Sequence, residues 1–546
     1  MTRTLSLPLA MLAAAVALVV GSGVGYSADT NEARKGGTLR LATFQDVEYI
    51  DTALAYSPWT WPIQFATCAK LFNHLDASGA EGMKVVPEVV RTWRESGDRL
   101  TYTFELKNTF RFHNGARVTA QSFAAGFNRN ANPKQKSPAM TFMHEIVGAD
   151  AVADGRATSI SGIRVLGRYR LQIRLTKPLG DFTARLTMPF FCPVPPNTPI
   201  NPAGIDNPAG SGPYYVHERI PNHQIVLRRN PFYRGDRPAN VDQVVWTTGM
   251  SRENCLLAVE EDRIDHCVHF SILGTAYRKL YETYGLNRPG GQLYIGPGLT
   301  TFFLVFNHDR PAFAGPGQIP LKKAINYAID RRELAHRPDN YLLGKRTDQI
   351  LPPTLGSAAS IYPLGGPNLT AARRLYAQAR VKPTKLVLYA TNSAGGIRQS
   401  QALQFQLGQL GIDIEVKTFD AEVMEEKMAT RGEPFDLVVN GWGADYADGG
   451  SFLGTLLDGR NLRPTGNLNV SYFDDPGTNA RIEAANRLTG EARRKAWADL
   501  DVDLMRDNPP WAPIYHQNNR AFISRTFGCF VFHPLYGVDI AAACKK

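Results

Sequence analysis

The sequence predicts an α/β protein with more than one domain, and three observations support this prediction. Its 546 residues exceed what a single hydrophobic core usually holds. Residues 85–176 are dominated by runs in which polar and apolar residues alternate, which is the pattern of half-buried strands. From residue 385 onward, short apolar strands alternate with amphipathic helices. Strands joined by such helices predict a parallel sheet with right-handed crossovers.

The N-terminal residues predict a signal peptide over residues 1–28. Arg3 supplies a positive charge, residues 9–20 are apolar, and Ser27 or Ala28 offers a small residue for cleavage. This apolar stretch is shorter than the roughly 20 residues of a membrane span. No cysteine lies at the predicted cleavage site to carry a lipid anchor. We therefore expect an exported, soluble protein.

The β-rich region predicts two strands with a helix between them. Residues 100–106 and 168–175 alternate polar and apolar side chains, and the apolar spacing of residues 120–130 is that of a short helix. We expect a small α+β unit here. The Pro-, Asn- and Gly-rich residues 189–213 that follow indicate a long surface connection or a domain crossover.

The C-terminal half predicts helices and buried strands in alternation. Pro320 begins a helix that carries Leu321, Ile325 and Ile329 on one face. Three strands and three helices follow, with strands at 385–389, 412–416 and 435–439 and helices at about 403–410, 421–428 and 489–508.

The bulk composition favours an ordinary globular protein. It is 43% hydrophobic and 20% charged, which excludes the disordered and fibrous classes. The formal net charge of +11 is spread along the chain with no run of five like charges. Because nucleic-acid binding usually needs a concentrated basic patch, this distribution argues against a nucleic-acid partner.

Six cysteines follow the predicted signal peptide, an even number that suggests disulfides in an oxidising compartment. Six cysteines allow about 15 complete pairings. We expect the sequence-local pairs Cys255–Cys267 and Cys529–Cys544. No Cys-x-x-Cys motif indicates a redox dithiol.

The candidate site follows the predicted strand at 435–439, where the chain reads Asn-Gly-Trp-Gly-Ala-Asp. In open parallel sheets, ligands bind beyond the carboxyl ends of the strands. Gly441 and Gly443 would let a ligand approach the backbone, and Trp442 would offer a flat apolar wall. The carboxylate of Asp445 then marks either a turn or a socket for a positively charged group.

Seven motifs, taken in order, resemble the extracellular solute-binding proteins of family 5, which include the dipeptide- and oligopeptide-binding proteins of ABC importers. They are FELK at 104–107, FHNG with VTA at 112–120, GSGPY at 210–214, NPFYRG at 230–235, FLVFN at 303–307, AINYAIDR at 324–331 and GWGADY at 441–446. Each motif is weak alone, but the ordered set spans nearly the whole chain after the predicted signal peptide.

The resemblance implies a periplasmic-binding-protein-like fold of two lobes with a cleft between them and a small inserted α+β domain. The expected segments are residues 29–74, 179–270 and 509–546 for lobe I, residues 75–178 for the insert and residues 271–508 for lobe II. It also implies a periplasmic protein, monomeric, that delivers its ligand to an inner-membrane permease with separate ATPase subunits.

The resemblance further implies a ligand site without cofactor, metal or catalytic residues. Asp445 would take the α-ammonium group of a peptide, with backbone groups of its loop pairing with the ligand as an added strand does. The expected ligand contacts are Asp445, Trp442, Gly443, Gly441, Tyr446, Tyr56 and Trp59. For the aromatic cluster with Tyr56 and Trp59, core packing and a cleft wall remain equal alternatives.

The ligand class stays open at this stage. A proline that the family often has shortly after the acid is replaced here by Asp448-Gly449-Gly450. Members that bind non-peptide solutes can keep a similar loop, so an opine, metal chelate, oligosaccharide or other amine is the alternative to a peptide. A secreted hydrolase is a competing class, yet Gly210-Ser211-Gly212 lacks the hydrolase elbow pattern. A periplasmic chaperone is a third class.

Overall fold

The fold of this chain, described from a computed structural model, is α/β and is built on three main sheets. The structure describes residues 35–269, 274–288, 290–335, 344–356 and 359–546. The predicted signal peptide lies outside the described residues. Within them, no helix combines the length and the apolar character that crossing a membrane requires.

The described strands alternate with helices through most of the chain. In chain order the strands are β1 (Thr38–Ala42), β2 (Phe72–His74), β3 (Val85–Pro87), β4 (Val90–Glu95), β5 (Thr101–Leu106), β6 (Ile163–Gly167), β7 (Arg170–Arg174), β8 (Tyr214–Ile220), β9 (Gln224–Arg229), β10 (Gln243–Thr247), β11 (His266–Cys267), β12 (Leu293–Phe306), β13 (Gly344–Arg346), β14 (Lys385–Thr391), β15 (Asp413–Phe419), β16 (Leu437–Gly443), β17 (Trp511–Phe522), β18 (Phe527–Gly528), β19 (Phe532–His533), β20 (Gly537–Val538) and β21 (Cys544–Lys545).

The α-helices are mostly short, and several begin directly after a strand. They are α1 (Trp61–Thr67), α2 (Gly79–Gly82), α3 (Ala120–Ala131), α4 (Ala149–Ala153), α5 (Phe182–Arg185), α6 (Arg252–Glu260), α7 (Gly274–Tyr284), α8 (Ile319–Ala328), α9 (Arg331–Leu334), α10 (Leu369–Gln378), α11 (Ala394–Gly408), α12 (Ala421–Met428), α13 (Leu453–Leu456), α14 (Pro476–Asn486) and α15 (Gly490–Asp507).

The first lobe contains a five-stranded sheet in the order β11-β1-β10-β9-β8. β1 pairs in parallel with β10 and β11, whereas β9 and β8 complete the sheet as antiparallel strands. Its core includes Leu39, Leu41, Val244 and Trp246, all fully buried. The carboxyl ends of the parallel strands therefore share one edge of this sheet, and the chain leaves β1 there toward Tyr56.

The second lobe contains a six-stranded sheet in the order β13-β17-β12-β16-β14-β15. The parallel pairing of β14 with β15 and with β16 confirms the predicted parallel sheet for these strands. The sheet is nevertheless mixed, because β12, β13 and β17 are antiparallel to their neighbours. Alternate residues of β16 enter different cores, with Leu437 on one face and Val438 on the other.

A four-stranded antiparallel sheet in the order β4-β5-β7-β6 forms the third unit. As the alternation predicts, Tyr102, Phe104 and Leu106 of β5 point into a core, and α3 covers that core with Phe123 and Phe127. Aromatic residues from elsewhere in the chain also enter this core. The division of the chain at residues 75 and 178 remains a prediction.

Strands β12 and β17 run from one lobe to the other. At one end Leu293 pairs with Phe522, and both pack in a core with Ala42 and helix α6. At the other end Phe303 stacks on Trp511 in the core of the six-stranded sheet, with ring centroids 3.9 Å apart. Irregularities interrupt their pairing between Pro297 and Thr300 and between Phe302 and Phe303. These strands are the structural link between the lobes.

Three disulfides occur in the structure. The predicted pairs Cys255–Cys267 and Cys529–Cys544 are confirmed. The third joins Cys68 to Cys192 across 124 residues of sequence. No spacing in the sequence indicates this third pair, because it depends on how the segment after α1 packs beside the chain that leaves α5.

Candidate functional site

The candidate site lies where β16 leaves the six-stranded sheet. The sequence predicted that this strand ends at Asn440, but pairing with β12 continues to Gly443, which lies opposite Thr300. The strand is therefore longer than predicted because the long strand β12 offers backbone partners along its whole length. Residues 444–451 form the loop that follows, and we refer to them as the 444–451 loop.

Gly441 is required by packing within the sheet. A Cβ atom at this position would lie 2.8 Å from the ring of Phe302 on the neighbouring strand. That ring is in turn stacked on Tyr515, with centroids 4.9 Å apart. Gly443 is less confined, because its nearest neighbour would be the Thr300 hydroxyl at 3.2 Å. The role of both glycines as ligand contacts stays a prediction.

Asp445 is buried and receives hydrogen bonds from both lobes. Its side chain is 5% exposed. The Tyr56 hydroxyl, which belongs to the segment after β1, donates to Asp445 Oδ1 at 2.7 Å. Ser451 Oγ accepts from the Asp445 N–H at 2.7 Å and donates to Oδ2 at 3.3 Å. The structure thus brings Asp445 and Tyr56 together, as the sequence predicted for a shared site.

Among the described residues, no positive charge compensates this carboxylate. In the part of the chain that the structure describes, Asp445 forms no ion pair with a Lys, Arg or His side chain. Burial raises the pKa of Asp445 to about 7, although the hydrogen bonds from Tyr56 and Ser451 act to lower it. A buried carboxylate without a cation is costly when ionised, so the site favours the arrival of a positively charged group.

The second acid of the same loop provides a contrast. Asp448 receives two hydrogen bonds from the Arg493 guanidinium, at 2.8 and 2.7 Å. Such a bidentate pair satisfies both charges. One loop therefore carries one carboxylate that is neutralised and one that has no cationic partner within the described ranges.

Tyr446 follows Asp445 but points away from it. Its side chain is 1% exposed and packs in the core of the four-stranded sheet. Its hydroxyl donates to Asp181 Oδ2 at 2.9 Å. Any contact of Tyr446 with a ligand would therefore have to come from its backbone.

Trp442 and Trp59 occupy separate positions. Trp442 is half-buried and donates its indole N–H to the Ser451 carbonyl at 2.9 Å, so it steadies the loop. Trp59 is half-buried among Phe44 and His269, with ring centroids 4.9 and 4.2 Å from its own. These contacts leave part of each ring accessible.

Sequence reasoning missed Ser451, Asp181 and Arg493. Ser451 lies in the stretch Asp-Gly-Gly-Ser, where a serine is an ordinary turn residue. Asp181 and Arg493 lie far from the loop in sequence, and only tertiary packing brings them to it. Among the described residues, no three His, Cys, Asp or Glu side chains come together as ligands for a metal ion.

Comparisons with known proteins place the chain in a family. A family model described as bacterial extracellular solute-binding proteins, family 5, matches residues 84–463, which is more than half of the chain. The periplasmic murein peptide-binding protein MppA of Escherichia coli is 26% identical over 482 residues, covering 83% of each chain. The probable deoxycholate-binding periplasmic protein YgiS of Escherichia coli is 24% identical over 481 residues, covering 85% of each chain.

A solved structure shows the same fold over almost the whole length. The clavulanic acid biosynthesis oligopeptide binding protein 2 superposes with a TM-score of 0.86 at 23% identity, covering 96% of this chain and 97% of that one. This likeness confirms the predicted two-lobed α/β fold.

Proposed function

The chain belongs to the bacterial extracellular solute-binding proteins of family 5, and on that premise we propose that it captures a peptide or peptide-like solute between its lobes. The single observation that carries this proposal is the buried Asp445 carboxylate, which has hydrogen-bond donors but no cationic partner in the described part of the chain. The α-ammonium group of a peptide supplies that cation and makes charge-assisted hydrogen bonds.

Binding would couple to closure of the lobes because both contribute to the site. Tyr56 comes from the segment after β1, and Asp445 follows β16 of the opposite sheet. A ligand that neutralises Asp445 while touching both lobes favours the closed form over the open one. Strands β12 and β17, which run between the lobes, are the natural position for the hinge.

The wider role follows from the family. We propose that the protein is periplasmic, acts as a monomer, has no enzymatic activity and passes its ligand to an inner-membrane ABC permease driven by separate ATPase subunits. MppA is named for murein peptides, which supports a peptide ligand. YgiS is named as a probable binder of deoxycholate, so a non-peptide solute remains the second candidate. The socket at Asp445 favours a cationic ligand over a bile acid.

To test the proposal, the protein is incubated with a defined library of di- to pentapeptides that have free α-amino groups. Native mass spectrometry then identifies the peptides that stay bound. The same library with acetylated α-amino groups is the matched control. We expect intact free-amine peptides to be retained one per protein chain, and acetylated peptides to bind about tenfold more weakly or worse. Retention of neither library, cleavage of the peptides, or binding without defined stoichiometry would contradict it.

Peptide affinity is also expected to depend on pH as a bell-shaped curve. In the empty site the pKa of Asp445 is raised to about 7 by burial, whereas a bound ammonium lowers it. The complex therefore holds fewer protons, and affinity falls as pH drops below about 7. Above about 8, the free peptide loses its α-ammonium proton, and affinity falls again. Titration calorimetry from about pH 5 to about pH 9 measures the fall in affinity on both sides of the curve. If the Asp445→Asn variant no longer loses affinity below about pH 7, the acid side of the curve is assigned to this residue.

A further inference from the structure

Beneath the 444–451 loop lies a buried cluster of charged side chains to which the six-stranded-sheet side and the four-stranded-sheet side both contribute. Arg493 belongs to α15, whose Trp497 and Leu500 pack in the core of the six-stranded sheet. Asp181 directly precedes α5, whose Phe182 packs in the core of the four-stranded sheet. The side chains of Arg493 and Asp181 are 3% and 0% exposed. These two residues therefore form a contact between separately built cores.

The contacts within this cluster are closely spaced. Arg493 Nη2 lies 3.1 Å from Asp181 Oδ2, which also accepts the Tyr446 hydroxyl at 2.9 Å. Asp181 Oδ1 lies 3.2 Å from Arg185 Nε. On the loop side, Arg493 holds Asp448 with two hydrogen bonds. Nearby, the Gly180 N–H donates to the Asn486 carbonyl at 2.8 Å across the same interface.

A chain of hydrogen bonds connects this cluster to the ammonium socket. Asp448, held by Arg493, accepts the Gly450 N–H at 2.7 Å, and its carbonyl accepts the Ser451 N–H at 3.1 Å. These bonds fix the turn that presents the Ser451 hydroxyl. That hydroxyl in turn accepts from the Asp445 N–H and donates to its carboxylate. Arg493 itself makes no hydrogen bond with Asp445 among the described contacts.

The turn around Gly450 has little freedom to shift. A Cβ atom at Gly450 would lie 2.8 Å from Arg493 Nη2 and 3.3 Å from Asp181 Oδ2. At Gly449 it would lie 2.7 Å from the Cβ of Trp497. Gly450 thus allows the loop backbone to lie directly on the buried guanidinium, and Gly449 allows it to lie against Trp497.

From this arrangement we infer that Arg493 is a positioning residue that sets the specificity of the Asp445 socket for a free ammonium group, and that Asp181 and Tyr446 make this positioning depend on contact between the 444–451 loop and the four-stranded-sheet side. The inference rests on the proposed function and extends it. The socket is fully formed only when the four-stranded-sheet side supplies Asp181, so recognition of the ammonium and lobe closure are achieved together.

The test compares affinities for one peptide and its N-acetylated form, using the tightest-binding free-amine peptide of the library described above. In the unaltered protein the ratio of the two dissociation constants is expected to be about ten or more. Arg493→Gln leaves Asp448 and Asp181 without their shared partner, so the ratio is expected to fall to about one to three. Tyr446→Phe removes one hydrogen bond to Asp181 and is expected to lower the ratio about threefold.

The matched control is Arg494→Gln on the next residue of α15, because Arg494 is 58% exposed and its ion pair with Glu491 lies within the helix. It should leave the ratio unchanged. Arg493→Lys keeps the positive charge, so its ratio is expected to lie between those of Arg493→Gln and the unaltered protein. Tyr446→Phe preserves the packing of the ring and so provides a readout if Arg493→Gln does not fold.

The outcomes separate the inference from the proposed function. If the unaltered protein binds both peptides equally, the ammonium socket itself is overturned, and the inference with it. A second outcome is that the unaltered protein discriminates between the two peptides, but Arg493→Gln and Tyr446→Phe weaken the binding of both peptides by the same factor. The ratio of the dissociation constants is then unchanged. Arg493 is then only structural, and the inference fails while the proposed function stands.

Discussion

Replacing Asp445 with asparagine is expected to weaken binding of a free-amine peptide by about tenfold or more, which corresponds to about 1.4 kcal/mol. Asparagine has almost the same shape and keeps an oxygen that accepts from the Tyr56 hydroxyl. What it lacks is the negative charge that an ammonium group would neutralise. The affinity for the N-acetylated peptide should change little, and titration calorimetry of both peptides measures the difference.

The Asp445→Asn substitution should not destabilise the unliganded protein. Because burial raises the pKa of Asp445 from its ordinary value of 3.8 to about 7, the folded chain holds an extra proton between these values. Stability from this group is thus lost as pH rises toward 7. At about pH 8 the unliganded Asp445→Asn protein is therefore expected to melt no lower than the unaltered protein.

Asp501 supplies a matched control for the loss of a buried acid. It is fully buried, and its pKa is also raised to about 7 by burial, but it accepts the Ile350 and Leu351 N–H groups instead of facing the loop. Asp501→Asn should leave peptide affinity unchanged. Equal loss of affinity in both variants, or none in Asp445→Asn, would remove Asp445 from the site.

The largest effect on stability is expected at the ion pair between Arg129 and Asp51. Both guanidinium ends donate to the carboxylate at 2.6 Å, and the side chains are only 4% and 2% exposed. Arg129 lies on α3, and Asp51 lies in the segment after β1 that leads to Tyr56. Arg129→Leu leaves a buried carboxylate without its partner, which costs about 3–5 kcal/mol of unfolding free energy.

Urea unfolding followed by circular dichroism measures this loss. The control is Arg156→Leu, because Arg156 and its partner Asp154 are 66% and 58% exposed. An exposed pair of this kind contributes about 0–1 kcal/mol. A second variant that replaces Arg129 and Asp51 together by apolar residues should regain much of the stability, since no charge is then left alone. Equal effects of Arg129→Leu and Arg156→Leu would contradict the prediction.

The local sequence pattern was sufficient to predict the helices and strands whose apolar residues repeat with a clear helical or strand period. The helix predicted at 421–428 is α12, with the same bounds, and the alternating residues 100–106 contain β5, which begins one residue later at Thr101. The strand at 385–389 was found but extends to Thr391. Strand ends were less predictable because the length of a strand depends on its neighbour, as the continuation of β16 along β12 shows.

For the site, the sequence by itself proposed Asp445, because it follows a buried strand. Tyr56 was proposed from the family resemblance, with core packing as the equal alternative, and the roles of both residues as ligand contacts stay predictions. Only the tertiary structure decided that Tyr446 turns into a core, that Asp448 is neutralised and that Asp445 is not. The physical reason is that charge compensation depends on which distant side chains arrive at a buried carboxylate. Arg493 reaches the 444–451 loop because α15 packs in the core of the six-stranded sheet, and Asp181 reaches it from the four-stranded-sheet side. No local spacing encodes that meeting.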